Sequence, residues 1–485
     1  MTAAEPVILA LEASTTSAKC LILDTRTGAV DVRSRRFSDE GPARDADAVT
    51  AELLALGREA AAGRRVDVIA LSSTWHGMTL RHQDLSAVTP VYEWPYTGAH
   101  GEAARHRADP EFTSWFRRRT GCLVNASYPA FKLAKLVRDG LDPRGLLMLD
   151  QGGLIFARLT GRIWTSLSTA SGTGMLSIDT GEWDADVLQH LGIAAVGLPE
   201  LRPHSAWAPL QPEGAALLGQ PVGTPVLVPG PDGGLNQIGD RASSIGDMTF
   251  SMGTSGALRM TTDRPVIRPD TGVWTYRSPA GWLSGAATSG CGNCVDWARR
   301  RLFPDLDYAR LESLLDPART DLPVFLPFLF GERSPGWDDR RRGGFIDVEP
   351  QHSAADLYQS VLHGILYSLQ HCLTELVALN GAPRRVVLSG GVLSSPYWSQ
   401  LAADVFGMPL EVSDLQHTSL VGATRLALEH AGADPDHPAL RASEPRVILP
   451  DLSRTALLDV QRERYLRAYD RTRPAEDLAL VPGGI

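Results

Sequence analysis

The chain has 485 residues, with 47 Lys+Arg against 56 Asp+Glu and a formal net charge of −9. At about 150 residues per domain that is two large units or three ordinary ones, enough to bury a full core without staples. A mildly acidic chain with no basic tract is a poor nucleic-acid binder, and 21% charged with 43% hydrophobic residues excludes wholesale disorder. Five scattered cysteines (Cys20, Cys122, Cys291, Cys294, Cys372) make no disulfide framework. The start has no signal-like n-region, and no run of about 18 apolar residues spans a membrane, so the expectation is a cytoplasmic soluble protein. Lysine occurs only at Lys19, Lys132 and Lys135.

The first strand is expected at Val7 to Leu11. A polar turn of small residues follows, Glu12-Ala13-Ser14-Thr15-Thr16-Ser17-Ala18, and then a strand from Lys19 to Asp24, which makes a β-hairpin. Val66 to Ser73 reads as a buried strand, and so does Pro225 to Val228, broken by Pro229-Gly230-Pro231-Asp232-Gly233-Gly234. About 240 residues after the first hairpin a comparable unit recurs: Met248 to Met252, the tip Gly253-Thr254-Ser255-Gly256, then Ala257 to Thr261. Two such hairpins, one early in each half, suggest a duplicated domain with a boundary near residues 240–247. Gly285 to Leu302 reads as a glycine-rich helix start, and Ala355 to Leu379 has apolar residues at helical spacing. Arg385 to Leu388 is a strand ending in Ser389-Gly390-Gly391. Leu457 to Ala468 reads as an amphipathic helix before a loose end.

Hydroxyls and amides in a turn of small residues can bind terminal phosphates without a Walker lysine. Both Thr/Ser-rich tips fit that use, and Glu12 before the first tip is placed to hold Mg²⁺ through water. Asp232 closes an apolar strand and opens a glycine-rich helix. A carboxylate there can take a proton from a hydroxyl attacking a phosphoryl group, or serve as a helix N-cap. Gly390-Gly391 lets a flat ring or a ribose approach the backbone. An exposed Trp75-His76 pair, followed by Gly77, suits sugar contact. Cys291-Gly292-Asn293-Cys294 has no partner pair for zinc and no βαβ context for redox work, leaving buried helix-face cysteines.

Taken in order, these pieces resemble the FGGY family of carbohydrate kinases, from about residue 7 to about residue 430. Glu12 to Lys19 is similar to the family's first phosphate hairpin, and Gly253-Thr254-Ser255 to its second. Gly230 and Asp232 match its catalytic-base segment. Phe325 to Asp338, with Gly331-Glu332-Arg333-Ser334-Pro335, looks like its Gly-Glu-Arg-x-Pro stretch. Gly390-Gly391 with Trp398 and Asp404 resembles its adenine-side motif, and Leu420-Val421-Gly422-Ala423 its late Gly-Ala helix. The resemblance implies an α/β chain of two actin-like (ribonuclease H-like) domains with ATP and sugar in the cleft between them. Residues 1–244 would form the first domain, 245–440 the second and 441–485 a helical tail.

It further implies Asp232 as catalytic base. Ser14, Thr15, Thr16, Ser17, Lys19, Gly253, Thr254 and Ser255 would bind the ATP phosphates. Gly292, Asp296, Gly390, Gly391 and Ser394 would line the nucleoside, and Trp75, His76, Gly77, Trp94, Asn125 and Asp232 the substrate. Glu12 and Asp232 would hold Mg²⁺. Four departures stand out. Glu12 and Ser14 replace the family's Asp and Gly, Trp94 alone survives of a Trp-x-Asp-x-Arg, Ser166 replaces an Asp, and His363-Gly364 replaces a Glu-Gly. They leave the sugar open among gluconate, xylulose, ribulose, glycerol and related compounds. A non-catalytic sensor on the same scaffold and an actin-like ATPase are the rival readings. A homodimer is common among similar kinases.

Overall fold

The structure is a computed structural model that describes residues 5–39, 41–441 and 446–472. Val7–Ala13 (β1) is buried along its whole length, which is why it reads as an unbroken apolar run. It pairs antiparallel with Ser17–Asp24 (β2), which pairs with Ala29–Arg36 (β3), and on its other side runs parallel to Val68–Ser73 (β4). Trp207–Pro209 (β5), Pro225–Leu227 (β6) and the short Gly230–Pro231 (β7) complete this sheet, in the order β5-β6-β4-β1-β2-β3 with β7 beside β4.

The second sheet repeats that plan. Asp247–Met252 (β8) and Gly256–Thr262 (β9) form its hairpin. Trp274–Ser278 (β10), Gly281–Thr288 (β11), Arg385–Gly390 (β12), Leu410–Val412 (β13) and Arg446–Ile448 (β14) give the order β10-β11-β9-β8-β12-β13-β14. Reading outward from β1 and from β8, both sheets show antiparallel strands on one side, two in the first and three in the second, and two parallel ones and an antiparallel edge on the other. The edge differs in origin: β5 precedes its neighbour in the chain and β14 follows it. The fold is thus the expected α/β pair of actin-like sheets.

Each half lends a helix to the other. Helix α1 (Asp232–Gly239) leaves the first sheet and fixes Gln237 to the second: its Nε2 donates to the Ala242 carbonyl at 2.6 Å, and its Oε1 accepts from Thr249 at 2.8 Å. The late helix α4 (Thr418–His430) instead packs Leu420, Val421, Ala423 and Ala427 against Ile8, Ala10, Val68 and Ala70 of the first sheet. Helices α2 (Gly292–Leu302) and α3 (Ala354–Asn380), the latter opened by a Ser353/Asp356 capping box, are among those that lie between them in the chain. Helices α1 and α4 cross with almost no spacing. A Cβ on Gly239 would lie 1.9 Å from the Thr418 carbonyl oxygen, and one on Gly422 2.0 Å from that of Leu235.

Two expectations change. Gly285 does not open a helix. Gly281–Thr288 is a central strand, and its small residues exist because Trp274 lies over them: a Cβ on Gly285 would come within 2.5 Å of that ring. The segment after residue 440 begins with β14 on the second sheet before its helix, Thr455–Arg471 (α5), so it is not helical throughout; the loose end lies outside the described residues. Among the described residues, no helix is long and apolar enough to cross a membrane.

Candidate active site

The pairing register brings a row of functional atoms to the carboxyl ends of the first sheet, where open α/β sheets place ligands. Glu12 stands opposite Lys19 on β2 and opposite Ser72 on β4, and Ser72 stands opposite Gly230 on β7. Asp232 follows immediately as the first residue of α1. The cap of that helix is Pro231, so the N-cap alternative for Asp232 does not hold.

These atoms face a cleft of about 790 Å³ between the two sheets. Glu12, Ser14, Thr15, Thr16 and Lys19 line it from one side, Gly253, Thr254 and Ser255 from the other, and Trp75, His76, Trp94, Asp232 and Gly390 complete the predicted set. Both hairpin tips therefore open onto one space. The first is braced by Ser14, whose amide and hydroxyl both donate to the Ser17 carbonyl. The second closes through the Gly253 amide on the Ser255 carbonyl at 3.1 Å. Trp94 supports the first tip by donating its indole N–H to Thr15 Oγ1 at 3.0 Å.

Asp232 uses one oxygen. Its Oδ1 accepts from the Gly233 and Trp75 amides at 2.8 and 3.2 Å, and no donor among the described residues reaches Oδ2. Burial raises its carboxyl above the usual range, while the Arg259 guanidinium pulls it back and Glu12 adds to the rise. A carboxylate with a free oxygen and an elevated pKa can accept a proton at neutral pH.

The Trp75-His76 pair is buried rather than exposed, at 6% and 8% of full accessibility. The reason lies 200 residues away in the chain. Trp274 and Tyr276 of β10 stack on each other at 4.1 Å and reach into the first half, with Tyr276 5.2 Å from Trp75. Trp75 is threaded between Gly172 and Gly233, where any Cβ would come within 2.4 and 2.6 Å of its ring. His76 has φ of 71°, a left-handed conformation that a non-glycine residue adopts at a cost of about 1–3 kcal/mol. Its Nδ1–H donates to the Gly172 carbonyl at 2.6 Å, and burial, aided by Arg333, lowers its pKa to about 3, so the ring stays neutral. Beneath it Lys132 donates to the carbonyls of His76, Tyr92 and Glu93, and burial lowers its pKa to about 7. Glu93 completes this floor, accepting from Arg44 at 2.5 Å and Thr74 at 2.7 Å.

Other predicted residues stand outside the cleft wall. Ser17 is buried under the first tip, within 3.0 Å of Ser14 Oγ. Gly77 packs against Glu93. Asn125 is buried and donates to Asp339 Oδ1 at 2.8 Å, which makes it a strut between the halves. Gly292 donates its amide to the Gly253 carbonyl at 2.9 Å, and a Cβ there would sit 2.6 Å from that oxygen, so it carries the second tip from behind. Asp296 pairs with Arg300 at 2.6 Å and accepts from Tyr308. Gly391 and Ser394 form the exposed turn after β12, closed by Ser394 Oγ on the Gly391 carbonyl. Cys291 and Cys294 are buried and unlinked.

Sequence reasoning missed Arg259, Trp274, Tyr276 and the 413–419 loop, all of which line the cleft, and it left Arg333 without a role. Arg259 had one signal, a cation within an otherwise apolar strand. The described residues hold no cluster of three His, Cys, Asp or Glu suited to a metal ion. Glu12 and Asp232 fit a Mg²⁺ that keeps most of its water.

Comparison with known proteins places this geometry. Residues 7–239 match the N-terminal domain of the FGGY family of carbohydrate kinases, and residues 248–430 match its C-terminal domain. The chain is 26% identical to a gluconokinase of Bacillus subtilis over 388 residues, covering 76% of this chain and 75% of that protein. It is 27% identical to a xylulose kinase of Klebsiella pneumoniae over 434 residues, covering 85% and 86%. Among solved structures, a ligand-bound xylulose kinase from Lactobacillus acidophilus superposes with a TM-score of 0.87 at 24% identity, over 96% of this chain and 98% of that one. A Plasmodium falciparum glycerol kinase with ADP superposes with a TM-score of 0.84 at 17% identity, over 97% and 98%. With both family domains present in order along one chain, this protein is a member of the FGGY family of carbohydrate kinases.

Proposed function

We propose that the protein transfers the γ-phosphoryl group of ATP to a hydroxyl of a small sugar, polyol or sugar acid, with Asp232 as the general base. The observation that carries this reading is the free Oδ2 of Asp232, set in the same cleft as the two hydroxyl-rich tips. The substrate hydroxyl gives its proton to that oxygen as it attacks phosphorus, and ADP leaves. Ser14, Thr15, Thr16, Lys19, Gly253, Thr254 and Ser255 supply donors to the phosphates, while Ser17 and Gly292 hold the two tips in shape. Gly390 with the turn of Gly391 and Ser394 borders the nucleoside, and Asp296 lies beyond it. Trp75, Trp94 and Tyr276 face the carbohydrate. Glu12 and Asp232 would hold Mg²⁺, which when bound neutralises phosphate charge. The lobes divide near residue 245, with the crossing of α1 and α4 at the joint.

A coupled ADP-release screen over aldonates, pentuloses and polyols tests the reading. We expect turnover with at least one of them. Asp232→Asn should lower it at least a thousandfold while calorimetry shows ATP binding unchanged within a few fold. Turnover retained in that variant removes Asp232 from the role of base.

A further inference from the structure

We propose that Arg259 and Arg333 form a carboxylate clamp and that the substrate is an aldonate, a sugar acid, rather than a neutral sugar or polyol. This rests on the kinase reading above and narrows it.

Both guanidiniums line the cleft together with Asp232 and Trp75. Arg259 rises from β9 and lays its Nε against Gly233, 2.9 Å from where a Cβ would be, so it stands beside the catalytic segment. Its Nη1 donates to Ser251 Oγ at 3.2 Å, and its Nε has no partner. Arg333 lies over the faces of Trp94 and Trp337, 5.5 and 5.7 Å from their centroids, and its Nε is likewise unpartnered. Among the described residues neither forms an ion pair, whereas Arg44 has Glu93 and Arg341 has Glu332, and the buried Arg117 is held instead by the carbonyls of Pro269, Thr271 and Val273.

The charges explain why this is unusual. Asp232 is the carboxylate whose field both arginines share. Lys19 is neutralised by Glu12 at 3.1 Å, and His76 is neutral. Arg259 also feels Asp240, yet neither guanidinium has a carboxylate within ion-pair distance among the described residues, on a wall partly withdrawn from water. A partly buried cation without a counter-ion is costly, and a planar fork with unused N–H groups matches a carboxylate. The aromatic platform of Trp75, Trp274 and Tyr276 next to the pair suits the C–H face of a polyhydroxyl chain.

A phosphate oxygen of ATP is the other anion that could sit there, and the kinetics separate the two. The experiment compares D-gluconate with D-glucitol, and D-xylonate with xylitol. Each pair shares a carbon chain and differs in one terminal carboxylate. We expect wild-type kcat/KM to favour the acid at least tenfold in one pair. Arg333→Gln and Arg259→Gln should raise KM for the acid at least tenfold, shrink the acid-to-alditol ratio towards one, and leave KM for ATP within about twofold. Arg333→Lys, which keeps the charge and loses the fork, should fall between.

Preference for the alditol or a neutral pentulose overturns the clamp and leaves the kinase intact. A rise confined to KM for ATP also overturns it and assigns the arginines to phosphate. If no carbohydrate turns over, the kinase reading itself fails. Calorimetric binding of D-gluconate against D-glucitol to the Asp232→Asn protein still tests the clamp on its own, and equal affinities overturn it. Circular dichroism melts of each variant separate lost recognition from lost folding.

Discussion

Ser419 Oγ donates to Glu12 Oε1 at 2.5 Å, so the helix that the second half lends to the first touches the carboxylate expected to serve the metal. The same carboxylate accepts from Ser72 at 3.2 Å and from Lys19 at 3.1 Å. A carboxylate has about four lone-pair directions, so one remains for a metal-bound water. Glu12 thus meets Ser419 from the second half while staying beside Lys19 of the first.

The two roles of Glu12 separate by mutation. Glu12→Gln keeps the side-chain length and the hydroxyl partners but loses the charge. We expect the Mg²⁺ concentration for half-maximal rate to rise about tenfold or more. Ser419→Ala removes only the contact between lobes and should leave that concentration within about twofold. Equal shifts in both variants would mean that Glu12 acts by tying the lobes and not through the metal.

The pH dependence of kcat follows from Asp232. As base it works only when ionised, and its raised pKa puts the acid limb above the usual Asp value near 3.9. Activity is therefore present at high pH and lost as pH falls through the raised value. Arg259 holds that value down, so Arg259→Gln should move the limb to higher pH at saturating substrate. A limb that stays in place shows that the titrating group is not Asp232.

What the sequence made legible was local. The hairpins follow from turn chemistry between apolar runs, and their boundaries shift by only a residue or two, as with β2 starting at Ser17 rather than Lys19. Asp232 stood out between a strand end and paired glycines, a place that equally suits a helix N-cap, and it is the structure that gives the cap to Pro231 and puts Asp232 on the cleft. The aromatic wall was not, because Trp75 meets Tyr276 only after two sheets have closed on each other, and nothing near Trp75 in the chain announces it. The same holds for Gly292 and Asn125. Each lies in a motif or position that suggests ligand contact, yet each is spent on a tertiary bond, to Gly253 and to Asp339. Arg259 was hidden by the opposite fault: one charge within a strand reads as an edge until its neighbours are known.

The cysteine pair gives a prediction of absence. Cys291 and Cys294 are fully buried, and burial pushes both thiols up, Cys294 to about 12. Thiol reactivity needs thiolate and access. The native protein should give no reaction with a thiol-specific chromophore on a timescale of minutes, and all five thiols should react in denaturant. Rapid native labelling of Cys291 or Cys294 would reopen a redox role for the pair.

The crossing of α1 and α4 makes the most exposed structural prediction. Gly239 and Gly422 let two backbones touch, and their added Cβ atoms would fall 1.9 and 2.0 Å from carbonyl oxygens that cannot rotate away. Gly422→Ala must push the helices apart, and overpacking of this kind costs about 1–3 kcal/mol. Because α4 carries Thr418 and Ser419 into the cleft, kcat should fall together with the melting temperature. Gly101 supplies the control. It is exposed, in the helix His100–Arg107, with nothing within 4 Å of its added Cβ. There the same substitution should be neutral or stabilising, by up to about 1 kcal/mol, since alanine is the better helix former. Only Gly422→Ala should lower the melting temperature, and only it should lose activity. If Gly422→Ala keeps both its melting temperature and its rate, the two helices do not pack in the contact described.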